Sequence, residues 1–167
     1  MKYNTIKLKN YLHIREEYTA KTAILPGMLV ELNGTAGYVK KHSGAGKTAL
    51  PMFAIEDALQ GKTIDEAYAA EDKVQVWIPT RGDIVYALLA DEESVVIGDF
   101  VESNGAGYLR KRVPESWESA DAQAANTIYD QSIVGQVLEA KDLTSLEGSD
   151  SSAATATTTQ FIQIRIM

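Results

Sequence analysis

One motif occurs twice in this sequence, and the repeat limits the possible folds more than any other feature. Residues 27–41 and 98–111 align with a single gap at Thr35, and nine of the fourteen paired positions are identical. Each copy contains a β-prone segment, an Asn-Gly pair and a second β-prone segment. Asn-Gly pairs tolerate the positive φ angles of tight hairpin turns. The sequence therefore predicts two hairpins, with structural turns at Asn33, Gly34, Asn104 and Gly105 and positive φ at both glycines.

A second pair of segments supports an internal duplication. Residues 74–78 and 162–166 both alternate β-branched residues with larger or polar ones, the period of a half-buried strand. The hairpins lie 71 residues apart and these strands 88 apart, so the second copy carries 17 extra residues. We expect a mainly β fold of duplicated β-barrel or β-tulip-like units, with one or two short helices. The predicted organisation is an arm over 1–21, a first unit over 22–80 and a related unit over 81–167, possibly fused into one domain.

The first 21 residues show no clean period and allow two interpretations. They are either a first strand with a partly ordered terminus, or an extended arm that adds a strand to a partner's sheet. The segment carries five basic and two acidic side chains, a net charge of +3, which leaves −10 for the rest of a chain whose net charge is −7. If the segment is an arm, its apolar side chains are the candidate contacts with a partner or another copy. These are Tyr3, Ile6, Leu8, Tyr11 and Ile14.

Elsewhere, periodicity and turn residues predict further strands and short helices. Strands are expected over 74–78, 84–90, 94–97, 131–140 and 159–167. Thr63 and Glu66 form a capping-box pattern, which predicts a short helix over about 63–70. Residues 115–126 are a second, weaker helix candidate, and the Ser- and Thr-rich stretch 143–159 is predicted to be a mobile loop.

Two short motifs suggest functions that their context does not support. Residues 44–48, Gly-Ala-Gly-Lys-Thr, resemble the end of a phosphate-binding loop, but Lys41 stands where that motif requires glycine. The flexible connection after a strand is the favoured interpretation. Arg81-Gly82-Asp83 matches a tripeptide read by adhesion receptors, although Gly82 and Asp83 also suit a turn into the next strand.

The sequence shows no recognisable catalytic, cofactor or metal site. It contains no cysteine, and its two histidines, His13 and His42, lie far apart without evident companions. No catalytic, cofactor-binding or metal-binding residue is therefore predicted. An acidic body is repelled by phosphate backbones, so we expect no nucleic-acid partner. No apolar run has the length of a membrane span, and the start lacks an apolar leader, so we expect neither membrane insertion nor secretion.

Several of these segments together resemble the capsid decoration, or cement, proteins of tailed bacteriophages. The resemblance lies in Gly-Asp-Ile-Val-Tyr-Ala-Leu at 82–88, Gly-Asp-Phe-Val at 98–101, Asn-Gly-x-Gly at 104–107, Ile-Val-Gly-Gln-Val-Leu-Glu-Ala at 133–140 and an Ile-rich last strand. It covers 82–167 directly and 22–80 through the repeat. It implies a non-enzymatic protein that is made in the host cytoplasm and binds the outside of the head. The implied partners are the major capsid protein and other copies of itself, with a trimer favoured and a dimer possible.

The duplication and the predicted helix depart from the simplest pattern of that family. They put the oligomeric state and the mode of contact in doubt. A second class of function stays open, a β-rich enzyme or ligand-binding domain with a site at the long loops. A concave polar pocket would favour this class, whereas flat contact surfaces would favour the decoration protein.

Overall fold

The computed structural model describes residues 3–112, 132–144 and 160–167, and this part of the chain is mainly β. The predicted fold class is therefore confirmed. The described strands are β1 (Lys7–Lys9), β2 (Arg15–Ala20), β3 (Val30–Leu32), β4 (Tyr38–Lys41), β5 (Phe53–Ala54), β6 (Lys73–Trp77), β7 (Ile84–Leu88), β8 (Ser94–Val95), β9 (Phe100–Ser103), β10 (Leu109–Lys111), β11 (Gly135–Val137), β12 (Lys141–Asp142) and β13 (Phe161–Ile166).

Two large sheets contain eleven of these strands. The five-stranded sheet has the order β3-β4-β2-β6-β5, and the six-stranded sheet has the order β1-β7-β13-β11-β9-β10. Strands β8 and β12 form a separate small pair. All strand pairs are antiparallel except β2 with β4. β-Branched and aromatic residues dominate β6, β7 and β13, because their side chains pack well on a half-buried pleated surface.

Each large sheet contains the same ring of five strands. In the first unit, β2 to β6, an isolated bridge between Leu29 and Phe53 joins the two ends of the sheet. In the second unit, β7 to β13, the order β9-β10-β7-β13-β11 is the same once the bridge between Leu89 and Leu109 is included. Each ring is joined at one place by an isolated bridge rather than a strand pair. Because these bridges are not strand pairs, no closed barrel is detected among the described residues, which differs from the predicted barrel units.

Backbone hydrogen bonds recur at equivalent positions of the two units. The bond from Gly27 N to Ala54 O (2.8 Å) in the first unit corresponds to that from Gly98 N to Val137 O (3.0 Å) in the second, and the bond from Ile55 N to Gln75 O (2.9 Å) corresponds to that from Leu138 N to Gln163 O (2.9 Å). The bond from Lys21 N to Val39 O (2.8 Å) corresponds to that from Ala90 N to Leu109 O (2.7 Å). In the hairpins, the bond from Asn33 N to Tyr38 O (2.9 Å) corresponds to that from Asn104 N to Tyr108 O (3.0 Å). Val74 and Ile162, aligned from the sequence, lie opposite equivalent residues of β2 and β7. The two units share their local architecture, and a duplication as its origin stays a hypothesis.

One continuous hydrophobic core draws on both units. Its largest fully buried side chains include Trp77, Tyr68 and Phe53 from the first unit and Phe161 and Leu88 from the second. Burying an apolar side chain of this size contributes about 1.5–3 kcal/mol. The two units therefore contribute to one connected core.

The N-terminal segment belongs to the sheets and is not a separate arm. β1 lies at the edge of the six-stranded sheet beside β7, and β2 lies between β4 and β6. The arm predicted over 1–21 is wrong for the described residues, and the alternative interpretation of a first strand fits them. The first unit begins at Arg15 rather than at residue 22. Charged residues at 15–17 are exposed and only Ala20 is buried, so β2 has no apolar alternation to mark it.

The helix predicted over 63–70 is replaced by turns. The Glu66 side chain does accept a hydrogen bond from Thr63 N at 3.3 Å, but it closes a single turn. Tyr68 then pairs with Ile24 through two backbone hydrogen bonds and enters the core, which ends any helical path. A 3₁₀ turn lies at Ala58–Gln60, and no α-helix is present among the described residues. The second helix candidate, 115–126, lies outside them.

Both hairpins form, but their loops contain five residues instead of a tight Asn-Gly turn. Val30 lies opposite Lys41, and Val101 lies opposite Lys111 in the second copy. φ is +86° at Gly105, as predicted. In the first hairpin the positive φ, +79°, is found at Gly37 rather than at Gly34, so the prediction for Gly34 is wrong.

The predicted strands at 74–78, 84–90, 94–97 and 159–167 each match a shorter strand, β6, β7, β8 and β13. The strand predicted over 131–140 is reduced to β11, and residue 131 lies outside the described part. The predicted loop over 143–159 lies outside it from residue 145 onward.

Candidate functional site

The two units meet where a turn of the first is inserted between two strands of the second. Leu88 N, on β7, donates a hydrogen bond to Gly27 O at 3.1 Å. Leu29 N donates to Gly107 O, beside β10, at 2.8 Å. The turn at 27–29 therefore occupies the gap between β7 and β10 and uses the backbone groups that face it.

The equivalent gap in the first unit is closed. There Thr19 N, on β2, donates directly to Gly37 O, beside β4, at 2.8 Å. Thr19 and Gly37 correspond to Leu88 and Gly107 of the second unit. The second unit is thus opened at this point to receive its neighbour.

Gly27 fits this junction because it lacks a side chain. Its φ is +89°, and a Cβ atom there would lie 2.7 Å from Phe161 Cε1 and 3.3 Å from Ile6 Cδ1. The equivalent Gly98 has φ +95°, but no described atom lies within 4 Å of its Cβ position. The repeated glycine is required for backbone geometry in both units and for close packing only in the first.

A buried polar contact completes the junction. His42 Nδ1 lies 2.7 Å from Ser103 Oγ, and both side chains are buried. Ser103 Oγ also accepts a hydrogen bond from Gly105 N at 3.1 Å. Ser103 O accepts another from Gly46 N at 2.9 Å, so the loop after β4 is fastened to the tip of the second hairpin.

The order Ser103, His42, Glu31 is that of a hydrolase triad, but its geometry is structural. His42 Nε2 lies 3.6 Å from the Glu31 carboxylate, beyond hydrogen-bond distance. Ser103 is fully buried, so its hydroxyl cannot meet a substrate. The expectation that His42 lacks companions is wrong. This contact could not be predicted from the sequence, because residues 42 and 103 are 61 positions apart and meet only through the junction.

An ion pair occupies the same place in each hairpin. Glu31 pairs with Lys40 at 3.1 Å, and the equivalent Glu102 pairs with Arg110 at 2.7 Å. The Glu102 carboxylate is buried and also accepts a hydrogen bond from Ser132 Oγ. Partial burial raises the pKa of the Glu31 carboxyl, but hydrogen bonds from Ser43 and Lys40 outweigh it and the pKa is lowered overall.

The glycine-lysine loop at 44–48 is part of the junction. A Cβ atom at Gly105 would lie 2.9 Å from Ala45 N, so this loop packs closely on the second hairpin. The loop leads to Leu50 and Pro51 and then to β5, where a phosphate-binding loop would open a helix. The favoured interpretation, a connection between strands, agrees with this position.

Arg81 of the tripeptide Arg81-Gly82-Asp83 is exposed, but its acidic residue is not displayed to solvent. Asp83 is fully buried, and its carboxylate accepts hydrogen bonds from Thr80 N at 2.7 Å and Tyr11 N at 2.8 Å. Its acidic group therefore fastens the segment before β2 to the start of β7. A receptor that reads this carboxylate could not reach it.

The five predicted contact residues have different environments. Ile6 is fully buried, and Tyr3 and Leu8 pack against the core. Tyr11 is 63% exposed and Ile14 is 43% exposed. We name residues 10–14, which also include the exposed Leu12, the display segment. Of the five predicted contact residues, the two that are largely exposed, Tyr11 and Ile14, lie between β1 and β2.

A second apolar surface was missed by the sequence interpretation. Val96 is 56% exposed, Ile97 69% and Phe100 37%, all in the turn before and at the start of β9. We name these three residues the turn surface. The repeat does indicate an apolar turn, because the aligned turn of the first copy is also apolar. The sequence alone does not show which of the two turns is buried by other residues of the fold.

The described residues contain no cluster of three or more His, Asp or Glu side chains arranged to hold a metal ion. Within the same part of the chain, no helix is long and apolar enough to cross a membrane.

Comparison with known proteins gives matches among solved structures. No protein-family model matches the sequence, and no curated protein matches it. Among solved structures, the chain is similar to the crystal structure of the N base of head fiber gp8.5 in bacteriophage phi29. The TM-score is 0.52 at 10% identity, over 93% of this chain and 95% of the other. The chain therefore shares its fold, over nearly its whole length, with the base of a phage head fiber.

Proposed function

We propose that the chain is a structural protein of a bacteriophage virion that binds the outer surface of the head. The shared fold with a head-fiber base over nearly the whole of both chains carries this proposal. The sequence motifs that resemble capsid decoration proteins support the same class independently. The proposed partners are the major capsid protein and further copies of this chain.

The display segment is the proposed contact with the head. Its backbone is held at both ends, because Tyr11 N donates to Asp83 and Ile14 O accepts from Ile78 N at 3.0 Å. A partner would therefore meet apolar side chains on a fixed backbone, with little ordering cost on binding. Leu12 is the most central of the exposed side chains in this segment.

Charge favours an acidic or neutral partner at this segment. Lys9 lies over the Tyr11 ring at 5.1 Å, and the exposed Arg15 follows the segment directly. The rest of the chain is strongly acidic. We therefore expect electrostatic repulsion of an acidic protein surface to be weaker at the display segment than over that acidic remainder. Binding at many lattice sites would hold neighbouring capsid subunits together and stabilise the head.

Co-sedimentation tests the proposal. The purified chain is mixed with expanded heads that lack it, and the pelleted amount is measured over a concentration series. We expect saturable binding at a fixed number of copies per head, unaffected by added free DNA. Binding that DNA removes, or pelleting no greater than that of the chain alone, would overturn the proposal.

A further inference from the structure

The first unit buries a turn that the second unit exposes. In the first unit every residue from 24 to 30 is buried, with Leu25 at 2% and Leu29 at 0% exposure. Leu25 and Leu29 correspond to Val96 and Phe100 of the turn surface, which are 56% and 37% exposed. Pro26, also buried, corresponds to Ile97. The same apolar turn thus has a cover in one unit and none in the other among the described residues.

The cover in the first unit is a unit of the same fold. Leu29 donates its N–H to Gly107 O, in the loop of the second hairpin, and a Cβ atom at Gly27 would lie 2.7 Å from Phe161 Cε1. The tip of that hairpin in turn packs on the first unit, where Ser103 meets His42. The internal junction therefore consists of a turn from one unit and a hairpin tip from the other.

The hairpin tip of the first unit is uncovered as well. Residues 34–37 are all exposed, and no described atom lies within 4 Å of the Cβ positions of Gly34 and Gly37. Leu32, 61% exposed, stands where the second unit has the fully buried Ser103. We name Leu32 with residues 33–37 the tip surface. The turn surface and the tip surface are the two halves of a junction that the chain makes once internally.

We propose that the turn surface of one copy packs against the tip surface of a second copy, head to tail. The contact places Val96, Ile97 and Phe100 beside Leu32, so that exposed apolar groups cover one another. It deepens the self-association within the proposed function, but it does not depend on attachment to a head.

Electrostatics permit this contact between acidic chains. At the turn surface, Asp99 is paired with Lys111 at 2.7 Å. At the tip surface, Glu31 is paired with Lys40 at 3.1 Å. Each surface has its nearby acid compensated, so bringing the two together does not oppose unpaired like charges there.

The contact between copies is smaller than the internal junction. The gap that admits the turn is closed in the first unit by the bond from Thr19 N to Gly37 O, so the turn of a second copy rests on the tip without inserting. Association is therefore expected to be reversible and concentration-dependent. Because the two surfaces differ, the contact is heterologous and leaves one free turn and one free tip in each dimer.

Sedimentation velocity on the full chain, without heads, tests the surfaces. Wild-type protein is expected to associate with rising concentration. Ile97→Asp and Leu32→Asp should each weaken association by about tenfold or more, since a buried charge at a small apolar contact is costly. Leu59→Asp is the matched control, because Leu59 is 99% exposed and belongs to neither surface. Circular dichroism and the melting temperature confirm that each variant is folded.

A mixing experiment tests the head-to-tail arrangement. Ile97→Asp retains an intact tip, and Leu32→Asp retains an intact turn, so an equimolar mixture should form a heterodimer that neither variant forms alone. A monomeric wild type at all concentrations would overturn the proposal, as would equal weakening by Leu59→Asp. A mixture that stays monomeric would show that an intact turn surface does not bind an intact tip surface, which also contradicts it.

Discussion

Leu88 N donates a hydrogen bond to Gly27 O across the boundary between the two units, at 3.1 Å. The equivalent donor in the first unit, Thr19 N, bonds within its own unit at 2.8 Å. One backbone donor therefore distinguishes a unit that is closed from a unit that receives its neighbour. The two copies of the motif have the same fold, and their difference lies in what each is bonded to.

Gly27→Ala and Gly98→Ala are expected to differ in cost. Both place a side chain at positive φ, which costs about 1–2 kcal/mol. Gly27→Ala also drives Cβ to within 2.7 Å of the Phe161 ring, and overpacking of this kind adds about 1–3 kcal/mol. Urea unfolding measures both variants. Equal losses would show that the junction does not pack tightly around Gly27.

Ser103→Ala should destabilise the protein by about 1–3 kcal/mol, because it leaves a buried His42 nitrogen and Gly105 N without this oxygen. Ser43→Ala is the matched control. Its hydroxyl bonds to Glu31 at 2.6 Å on the exposed side of the same region, where water can replace it, so a change within about 0.5 kcal/mol is expected. Thermal unfolding separates the two. A control variant as unstable as Ser103→Ala would contradict the assignment of Ser103 to the junction.

The repeated ion pairs offer a second matched comparison. Glu102→Gln is expected to cost about 1–3 kcal/mol, because Glu102 is buried and bonded to both Arg110 and Ser132. Glu31→Gln removes the equivalent but more exposed charge and should cost about 0–1 kcal/mol. High salt should reduce the loss of stability in Glu31→Gln more than the loss in Glu102→Gln, because exposed charges are screened more strongly. The reverse order of losses would sink this account of the two hairpins.

Asp99 should contribute to the acid sensitivity of folding. The hydrogen bond from Lys111, with another from Val96 N, holds the pKa of Asp99 below its ordinary 3.8. A lowered folded-state pKa gives stability that is present above the unfolded value and is lost as pH falls through the folded one. Between about pH 4 and pH 2, wild-type protein should lose more stability than Asp99→Asn. Parallel unfolding free energies over this range would show that Asp99 does not contribute.

The repeat predicted much of the fold because hydrogen-bonded strands leave a local pattern. Val74 and Ile162 belong to segments that alternate apolar and polar residues. Both lie in strands, opposite equivalent residues of β2 and β7. β2 could not be predicted in the same way. Its residues Arg15, Glu16 and Glu17 are exposed in the middle of a sheet, so neither hydrophobicity nor turn residues identify the strand.

The candidate surfaces were less predictable, because exposure depends on tertiary contacts. The sequence predicts Ile6, Tyr11 and Ile14 alike as residues that contact a partner, yet Ile6 lies in the core and the other two are exposed. The turn surface follows from comparing two equivalent turns, of which only one is covered. A similar misjudgement affected Thr63 and Glu66, whose local capping pattern was overridden when Tyr68 entered the core.

The attachment of the chain to a phage head through the display segment is tested most directly by binding of Leu12→Asp to expanded heads. Leu12 is 59% exposed, so the substitution is not expected to disturb folding, which the melting temperature verifies. Leu59→Asp, at another exposed leucine, is the control. The predicted result is a loss of affinity of about tenfold or more for Leu12→Asp and wild-type affinity for the control. Wild-type affinity in a folded Leu12→Asp variant would contradict the account.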